Sequence, residues 1–309
     1  MNDLPIIPIA KPDFKSGFVG IIGRPNVGKS TLMNKIIGQK IAITSPVAQT
    51  TRNRLRGIFT NNDCQIIFVD TPGIHKPHHQ LGKVLVENAK IAINSVDLIL
   101  FLVDGSVEAG GGDRYIYDLL LNTQIPVILC LNKIDTQSVN DAEYINNSYV
   151  EMCGEKDWQI VKFSALTGEG LDDLMSILNN NLPEGPYYYP PDYVTDQPER
   201  FIMGELIREQ ILLLTREEIP HSVAVTIDIV EEDEKITRVL ATIHVERDSQ
   251  KGIVIGKKGQ MLKDVGSLAR QQMQKLIDGK VYLELFVKVQ PKWRQSRLHL
   301  SEFGYQIDK

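Results

Sequence analysis

The sequence of 309 residues has little cysteine and no long hydrophobic run. Its three cysteines, at positions 64, 130 and 153, have no paired spacing, so they predict a reducing cytosol rather than a disulfide framework or a zinc site. The apolar run at residues 98–103 is far shorter than the roughly 20 residues that a membrane-spanning helix needs. The N-terminus has no basic segment before an apolar core, so we expect a mature protein that begins at or near Met1 and stays inside the cell.

An excess of basic residues is also missing. There are 34 Lys and Arg against 39 Asp and Glu, a formal net charge of −5, and this average argues against a nucleic-acid-binding protein. The average conceals two opposite segments, however. Residues 191–244 contain 5 basic and 12 acidic side chains, whereas residues 245–297 contain 12 basic and 5 acidic ones. The second of these segments can attract an anionic partner.

Hydrophobic patterning divides the chain into three parts. Nearly continuous apolar runs alternate with helical segments over residues 15–182, which predicts an α/β domain with a mixed, mostly parallel sheet and helices on both faces. Five prolines and a glycine within residues 182–200 indicate a stiff linker, placed at residues 183–199. Residues 200–298 follow the order helix, two strands, helix pair and strand, which predicts a smaller α+β domain.

A phosphate-binding pattern lies near the start of the first domain. Residues 23–30, G-R-P-N-V-G-K-S, match G-x-x-x-x-G-K-[ST] between a strand and a helix. In that context, backbone N–H groups and the helix N-terminus can surround phosphates. Lys29 can reach the β- and γ-phosphates, and Ser30 can ligate Mg²⁺.

The motif D-T-P-G at residues 70–73 ends a predicted strand. Its Asp70 carboxylate can hold Mg²⁺ through water, and the backbone N–H of Gly73 can sense a γ-phosphate. Alone this motif is weak, because an aspartate often caps a strand end. Its position downstream of Lys29 and at the end of a strand makes the nucleotide interpretation credible.

Two further motifs indicate the base. In N-K-I-D, Asp135 can accept hydrogen bonds from guanine N1–H and from its exocyclic amine, and adenine presents no such pair of donors. Lys133 can lie against the base, and Asn132 can tie this loop to the phosphate loop. In S-A-L, at residues 164–166, the backbone N–H of Ala165 can donate to guanine O6. The four motifs together predict a guanine-nucleotide site.

With these motifs, residues 17–180 resemble a GTPase domain of the translation-factor class. Q-T-T-R at residues 49–52 resembles the first switch, whose threonine ligates Mg²⁺ and contacts the γ-phosphate. The resemblance favours Thr51, with Thr50 as the alternative. Residues 74–90 correspond to the second switch.

The resemblance also implies an unusual catalytic position. Ile74 stands where Ras-like enzymes carry a glutamine that orients the attacking water, so intrinsic turnover is expected to be slow. Some GTPases with a hydrophobic residue there bind K⁺ through an asparagine of the phosphate loop, the position of Asn26. We therefore predict that K⁺ partly fills the role of an arginine finger.

The resulting site predictions fall into three groups. The predicted nucleotide-binding residues are Gly23, Arg24, Pro25, Asn26, Val27, Gly28, Lys29, Ser30, Thr31, Asp70, Thr71, Pro72, Gly73, Asn132, Lys133, Asp135, Ser164, Ala165 and Leu166. The predicted catalytic residues are Lys29, Thr51, Gly73 and Asn26. The predicted metal ligands are Ser30, Thr51 and Asp70 for Mg²⁺ and Asn26 for K⁺. We interpret His75, His78 and His79 as part of a polar, mobile switch loop, because their spacing lacks a metal-binding framework.

The second domain carries I-G-K-K-G at residues 255–259, a G-x-x-G turn before a helix. In the order α-β-β-α-α-β this turn resembles that of a prokaryotic (type II) KH domain, whose loop clamps about four nucleotides. At residues 288–297, K-V-Q-P-K-W-R-Q-S-R places an aromatic among cations, an arrangement suited to single-stranded RNA, although a solvated basic face is an equal alternative for that segment. The predicted RNA-binding residues are Ile253, Ile255, Gly256, Lys257, Lys258, Gly259, Lys263, Lys292, Trp293 and Arg294.

A GTPase domain followed directly by a KH domain resembles the Era family of bacterial GTPases, over roughly residues 14–300. The resemblance implies a slow GTPase with GTP or GDP and Mg²⁺ as ligands. It also implies binding to the 3′ end of 16S ribosomal RNA, a role in assembly of the 30S ribosomal subunit, no DNA partner and a monomer. The implied location is the cytoplasm, with peripheral association at the inner face of the cell membrane.

Three other functions are alternatives to this one. A tRNA-modifying or metabolic enzyme would need a further catalytic group such as a nucleophilic cysteine, and a GTPase acting on another RNA would share the same motifs. A membrane-transport or scaffold GTPase would be restricted to peripheral attachment, because the sequence has no spanning segment.

Overall fold

The computed structural model describes residues 7–47, 50–53, 55–74, 80–154, 156–217, 219–277 and 279–305. His75, His78 and His79, and Gln49 of the first switch, lie outside these residues. Among the described helices, none is long and apolar enough to cross a membrane.

The first domain is built on a sheet of six strands with the order β2-β3-β1-β4-β5-β6. Strand β2 runs antiparallel to β3, and the other neighbours are parallel, so the predicted mixed, mostly parallel sheet is confirmed. The strands are β1 (Lys15–Gly23), β2 (Leu55–Thr60), β3 (Cys64–Asp70), β4 (Leu98–Asp104), β5 (Val127–Asn132) and β6 (Gln159–Lys162).

Alternating side chains explain why both faces of this sheet are covered. In β4, Leu98, Leu100 and Leu102 enter one hydrophobic cluster, whereas Ile99 and Phe101 enter the cluster on the opposite face. The covering helices are α1 (Lys29–Ile37), α2 (Gln80–Ile93), α3 (Gly111–Leu120), α4 (Ala142–Met152) and α5 (Leu171–Asn181).

The segment predicted to be a linker is fastened along the first domain. The amide of Ile58, on the β2 edge, donates to Val194 O at 2.8 Å. The fully buried Gln65 accepts from the amides of Tyr188 and Tyr189 at 2.7 and 3.0 Å and donates to Tyr189 O at 2.9 Å. The bond from Ile58 satisfies part of the exposed edge of the sheet, and together these bonds hold Tyr188, Tyr189 and Val194 of this segment against the first domain.

The second domain has the predicted order of elements. Strands β7 (Ala224–Asp233) and β8 (Ile236–Val245) are antiparallel, and β9 (Val281–Val289) pairs with β8 in parallel. The helices are α6 (Glu199–Leu214), α7 (Ile219–Ser222), α8 (Asp248–Ile255) and α9 (Gln260–Ile277). A KH fold is therefore confirmed for this part of the chain.

A further helix, α10 (Arg297–Glu302), follows β9. The predicted domain end at residue 298 lies inside it. Helix α10 is ordered by packing, because Leu300 and Tyr305 share a hydrophobic cluster with Leu81 and Leu85 of α2 in the first domain. The two domains are therefore in direct contact through the C-terminal segment.

Candidate nucleotide site and nucleic-acid interface

The phosphate loop joins the end of β1 to the start of α1. Gly28 has φ of 100°, and a Cβ there would lie 2.3 Å from Asn132 Nδ2, so only glycine fits. The buried Lys29 ammonium donates to Gly23 O at 3.2 Å and to Arg24 O at 2.8 Å. Burial lowers the pKa of Lys29 to about 8, with Asp70 opposing this shift. A desolvated cation at the centre of a glycine loop is suited to binding phosphate.

Arg24 points away from that loop. Its Nε donates to Asp113 Oδ1 at 2.6 Å, and the Asp113 side chain is fully buried at the start of α3. The guanidinium therefore fixes the phosphate loop against α3. With its side chain bonded to Asp113, Arg24 has only its backbone left for the predicted contact with nucleotide.

Three oxygen-bearing side chains meet at the predicted magnesium site. Ser30 Oγ lies 2.7 Å from Asp70 Oδ2 and 3.0 Å from Thr51 Oγ1, and Thr51 Oγ1 lies 3.2 Å from the same carboxylate oxygen. Thr50 is turned elsewhere, since its hydroxyl donates to Val47 O at 2.6 Å. Of the two alternatives, the structure brings Thr51 into the cluster.

The chemistry of this cluster fits Mg²⁺. Its donors are all oxygens, the ligands that this hard cation prefers. Asp70 Oδ1 is buried without a hydrogen-bond partner among the described residues. Burial raises the pKa of Asp70, against the opposing effects of Lys29, Ser30 and Thr51. A divalent cation would satisfy the orphaned oxygen and stabilise the ionised carboxylate.

The D-T-P-G motif is pressed against the phosphate loop. A Cβ at Gly73 would lie 2.7 Å from Pro25 N, and the buried Thr71 hydroxyl donates to Ile21 O at 2.9 Å. Ile74 follows as a buried residue of the hydrophobic cluster between the sheet and α2. Its side chain fills the core and can neither donate to nor accept from water.

Asn132 connects the base-binding loop to the phosphate loop, as predicted from its position. Its Nδ2 donates to Val27 O at 2.8 Å, and its Oδ1 accepts from Ala165 N at the same distance. The Ala165 amide predicted to contact guanine O6 is thus already engaged, so it must be shared or released for that contact. The sequence could not show this, because the two residues meet only in the fold.

The remaining predicted base residues differ in their surroundings, and of them Lys133 lines the cavity in front of the phosphate loop. Lys133 donates to Asp104 Oδ2 at 2.6 Å. Burial raises the pKa of Asp104, but the hydrogen bonds from Lys133 and Ser106 lower it by more, so the pKa of Asp104 lies below its usual value. Asp135 and Leu166 are exposed, and Ser164 is buried with its Oγ accepting from Thr167 N at 3.0 Å.

A cavity of about 600 Å³ opens in front of the phosphate loop. Asn26 is exposed beside it, has φ of 65° and donates through Nδ2 to Pro46 O at 2.7 Å. Pro46 belongs to the segment between α1 and β2 that contains Q-T-T-R, and this whole segment is called the first switch from here on. The phosphate-loop and motif residues that line the cavity include Pro25, Asn26, Gly28, Lys29, Ser30, Thr31, Gly73 and Lys133. Val27 and Pro72 are buried behind it.

One wall of this cavity is not predicted by the sequence motifs. Glu209 and Leu213 of α6 and Gln272 of α9 contribute to it from the second domain. Glu209 and its neighbour Arg208 are buried and bonded to the first switch. Their local signal is weak, since two adjacent charges inside an apolar helix do not follow a helical period.

The G-x-x-G turn lies between α8 and α9. Gly256 has φ of 72° and ψ of 175°, and a Cβ there would lie 2.6 Å from Met261 Cβ. Lys257, Lys258 and Lys263 are exposed around the turn, and Ile253 is nearly half exposed, whereas Ile255 and Gly259 are partly buried. The predicted basic loop with a close backbone is therefore accessible to a ligand.

A groove of about 530 Å³ runs from this turn towards β9. Gly259, Lys263 and Arg270 line one side, and Tyr282 of β9 lines the other with half of its surface exposed. Tyr282 is an aromatic residue available for stacking that sequence reasoning missed. Its place opposite the turn depends on how α9 packs on the sheet.

Trp293 corrects the prediction for the C-terminal basic segment. It is fully buried, its Nε1 donates to Ser222 O at 2.9 Å, and its ring stacks on Tyr305. It therefore cannot stack on a base in this structure. Arg294 is partly buried and donates through Nε to Glu246 Oε2 at 3.0 Å, while Lys292 is exposed. The tract is partly an internal packing surface.

The cysteines give no support to a second catalytic centre. Cys64, Cys130 and Cys153 are all buried. Burial raises the pKa of Cys64 and of Cys153 to about 11 and raises that of Cys130 as well, so none is activated as a thiolate. In the described parts of the chain, no three or more His, Cys, Asp or Glu side chains come together as a metal site.

Comparison with known proteins identifies the family. The model of the 50S ribosome-binding GTPase family matches residues 18–133, and the KH-domain model matches residues 218–294. The GTPase Era of Rippkaea orientalis is 71% identical over 98% of this chain and 96% of its own length. That of Nostoc is 70% identical over 98% and 93%.

Solved structures agree with this result. A crystal structure of Era in complex with MgGDPNP and nucleotides 1506–1542 of 16S ribosomal RNA is 40% identical, with a TM-score of 0.90 over 95% of this chain and 99% of that one. A single-residue variant of Aquifex aeolicus Era bound to GDP and AlF4⁻ has the same identity and TM-score over 95% and 100%. The present chain therefore belongs to the Era family of GTPases.

Proposed function

We propose that this protein is a GTP-hydrolysing switch that binds the 3′ end of 16S ribosomal RNA and acts in assembly and maturation of the 30S subunit. The observation that carries the proposal is the position of Thr51. It lies beside Ser30 and Asp70, while its switch is bonded to the KH domain. One segment thus touches both the candidate nucleotide site and the domain that would hold RNA.

Lys29, Gly73 and Asp135 have the central roles in nucleotide binding. The Lys29 ammonium neutralises charge on the β- and γ-phosphates, the Gly73 backbone contacts the γ-phosphate, and Asp135 selects guanine over adenine. Ser30, Thr51 and Asp70 would hold Mg²⁺, and the bound ion would supply positive charge to the phosphates. Asn132 keeps the base and phosphate loops in register.

The KH domain binds single-stranded RNA through the turn at residues 256–259 and the groove beside it. Lys257, Lys258 and Lys263 meet phosphates, and the glycines admit the RNA backbone closely. Tyr282 offers its exposed ring to a base. This proposal is supported by the related Era structure that contains 16S ribosomal RNA.

A direct test is binding of the full chain to a short RNA with the 3′-terminal sequence of 16S ribosomal RNA, in the presence of a GTP analogue. A scrambled RNA of equal length is the control. We expect higher affinity for the 3′-terminal RNA than for the scrambled RNA. The affinity for each RNA should fall as salt is added. Equal affinity for the two RNAs would contradict the proposal.

We also propose that K⁺ binds next to Asn26 and partly fills the role of an arginine finger. This follows from the burial of Ile74 and from the place of Asn26 between the phosphate loop and Pro46. Hydrolysis should be faster in K⁺ than in Na⁺ at matched ionic strength, and Asn26→Ala should remove the difference. Equal wild-type rates in the two salts would contradict this role.

The remaining proposals concern organisation and location. We propose a GTPase domain at residues 15–182, a linker at 183–199 and a KH domain at 200–298, with α10 as its C-terminal addition. The protein acts as a cytoplasmic monomer without a DNA partner and associates peripherally with the inner face of the cell membrane. Vesicle flotation tests the membrane interaction. The purified chain is floated alone and with ribosomes, in the presence and absence of RNase, so that direct lipid binding is separated from carry-over by ribosomes. Absence of flotation of the chain alone would contradict the interaction.

A further inference from the structure

The first switch lies between two domains that both bind to it. Its described residues include 40–47 and 50–53, between α1 and β2. We propose that Arg208 and Glu209 of α6 are positioning residues for GTP hydrolysis, which hold this switch so that Thr51 stays beside Ser30 and Asp70. The inference rests on the proposed function, because it assigns the KH domain a part in the nucleotide reaction.

Glu209 anchors the near side of the switch. Its side chain is only 1% exposed. One carboxylate oxygen accepts from Thr44 N at 2.8 Å, and the other accepts from Lys40 Nζ at 2.6 Å. Burying a carboxylate costs free energy unless such partners satisfy it. Glu209 therefore favours the arrangement in which the switch backbone at Thr44 stays bonded to it.

Arg208 anchors the far side. Its guanidinium is fully buried, is paired with Glu205 through Nε at 2.7 Å and donates through Nη2 to Thr50 O. The Thr50 carbonyl belongs to the peptide plane that ends at the Cα of Thr51. Fixing this carbonyl therefore fixes the backbone from which the Thr51 hydroxyl projects.

A third anchor follows directly after Thr51. Arg52 is 1% exposed and donates to Val223 O at 2.6 Å and to Pro220 O at 3.0 Å, both in the second domain. Upstream, Ile43 packs within the hydrophobic cluster of the KH domain. Thr51 is consequently held between contacts to the second domain on both sides, while its own hydroxyl faces the first.

This arrangement makes the KH domain a positioning element for the magnesium site of the same chain. Loss of the Arg208 and Glu209 contacts should free the switch without touching the phosphate or base loops. The expected defect is in Mg²⁺-dependent hydrolysis rather than in binding of GDP. A merely structural interface would change thermal stability but leave the rate of the folded enzyme unaltered.

The experiment compares full-length wild type, Glu209→Gln, Glu209→Ala and the control Glu199→Gln. Glu199 lies in the first turn of the same helix and is exposed. Gln keeps one acceptor but loses the charge, and Ala loses both. We expect single-turnover hydrolysis to fall in the order wild type, Gln, Ala, by about tenfold for Ala. In the Glu209 variants the Mg²⁺ concentration for half-maximal rate should rise, whereas their GDP affinity should not change. The Glu199→Gln enzyme should behave like the wild type in all three measurements.

Thermal unfolding shows whether the Glu209 variants are folded. If they are not, Arg208→Lys is the second variant, and it is judged by the same hydrolysis rate and Mg²⁺ dependence. Lysine keeps the charge but lacks the planar fork that reaches both Glu205 and Thr50 O. A folded Glu209→Ala or Arg208→Lys enzyme with wild-type rate and Mg²⁺ dependence would overturn the inference. Failure of the wild type to hydrolyse GTP would instead overturn the proposed function.

Discussion

The two sheets of this protein differ in where the candidate binding residues lie relative to the strands. In the first, both faces are buried, and the candidate ligand-binding groups lie at strand ends, as Asp70 does at the end of β3 and Asn132 at the end of β5. In the second, the candidate RNA loop lies between helices, and one end of the sheet is covered by the C-terminal segment. Groups fixed by local motifs can be recognised in sequence, whereas groups exposed or buried by distant contacts cannot.

The largest expected effect is at Asp135, where a substitution tests whether a local motif of the first domain defines its ligand. If the N-K-I-D motif alone defines the base, Asp135→Asn should lower GTP affinity by roughly 10⁴-fold, because a site built to accept from guanine loses its charged acceptor. Xanthine nucleotides should then bind better than guanine nucleotides. Titration with fluorescent nucleotides measures both. Unchanged GTP affinity would show that the exposed Asp135 does not read the base.

The second test addresses the local motif of the KH domain. Gly256→Asp adds a Cβ against Met261 and a negative charge beside Lys257, so RNA affinity should fall by about tenfold or more. Nucleotide affinity should stay the same. Gly252→Ala is the matched control, since a Cβ at Gly252 has no neighbour within 4 Å. RNA binding that survives Gly256→Asp would exclude the turn as the RNA site.

The third test concerns Trp293, where a local pattern suggested RNA stacking and the fold shows burial. Trp293→Phe removes the bond to Ser222 O and part of the packed ring, so the free energy of unfolding should fall by about 1–3 kcal/mol. RNA affinity of the folded protein should not change. Urea unfolding and RNA titration separate the two effects. Weaker RNA binding at unchanged stability would restore the stacking role.

The smallest effect concerns Lys29 and pH. In the free protein burial lowers its pKa to about 8, and bound phosphates should raise it, because they favour the charged form. GDP affinity should therefore be constant below about pH 7 and fall as pH rises past about 8, with proton uptake on binding. Calorimetry in two buffers of different ionisation enthalpy measures that uptake. No uptake at about pH 8 would contradict the assignment.

The sequence alone was sufficient for the parallel sheet, the phosphate loop and the KH order of elements, because these depend on periodicity and on short motifs. It could not place α10 or Trp293, whose burial depends on Leu81 and Leu85 of the other domain. Nor could it show that Gln65 fastens the proline-rich segment, or that Arg208 and Glu209 reach the first switch. Each depends on residues that are far apart in the chain and meet only after folding.

We infer that the state of the nucleotide site is transmitted to the RNA site through the first switch, which is held between the two domains. The most direct measurement is the affinity of the full chain for the 3′-terminal 16S RNA with a GTP analogue and with GDP. We expect about 5- to 150-fold tighter binding with the analogue, which corresponds to the typical range of coupling free energies between two sites. Equal affinities in the two nucleotide states would contradict it.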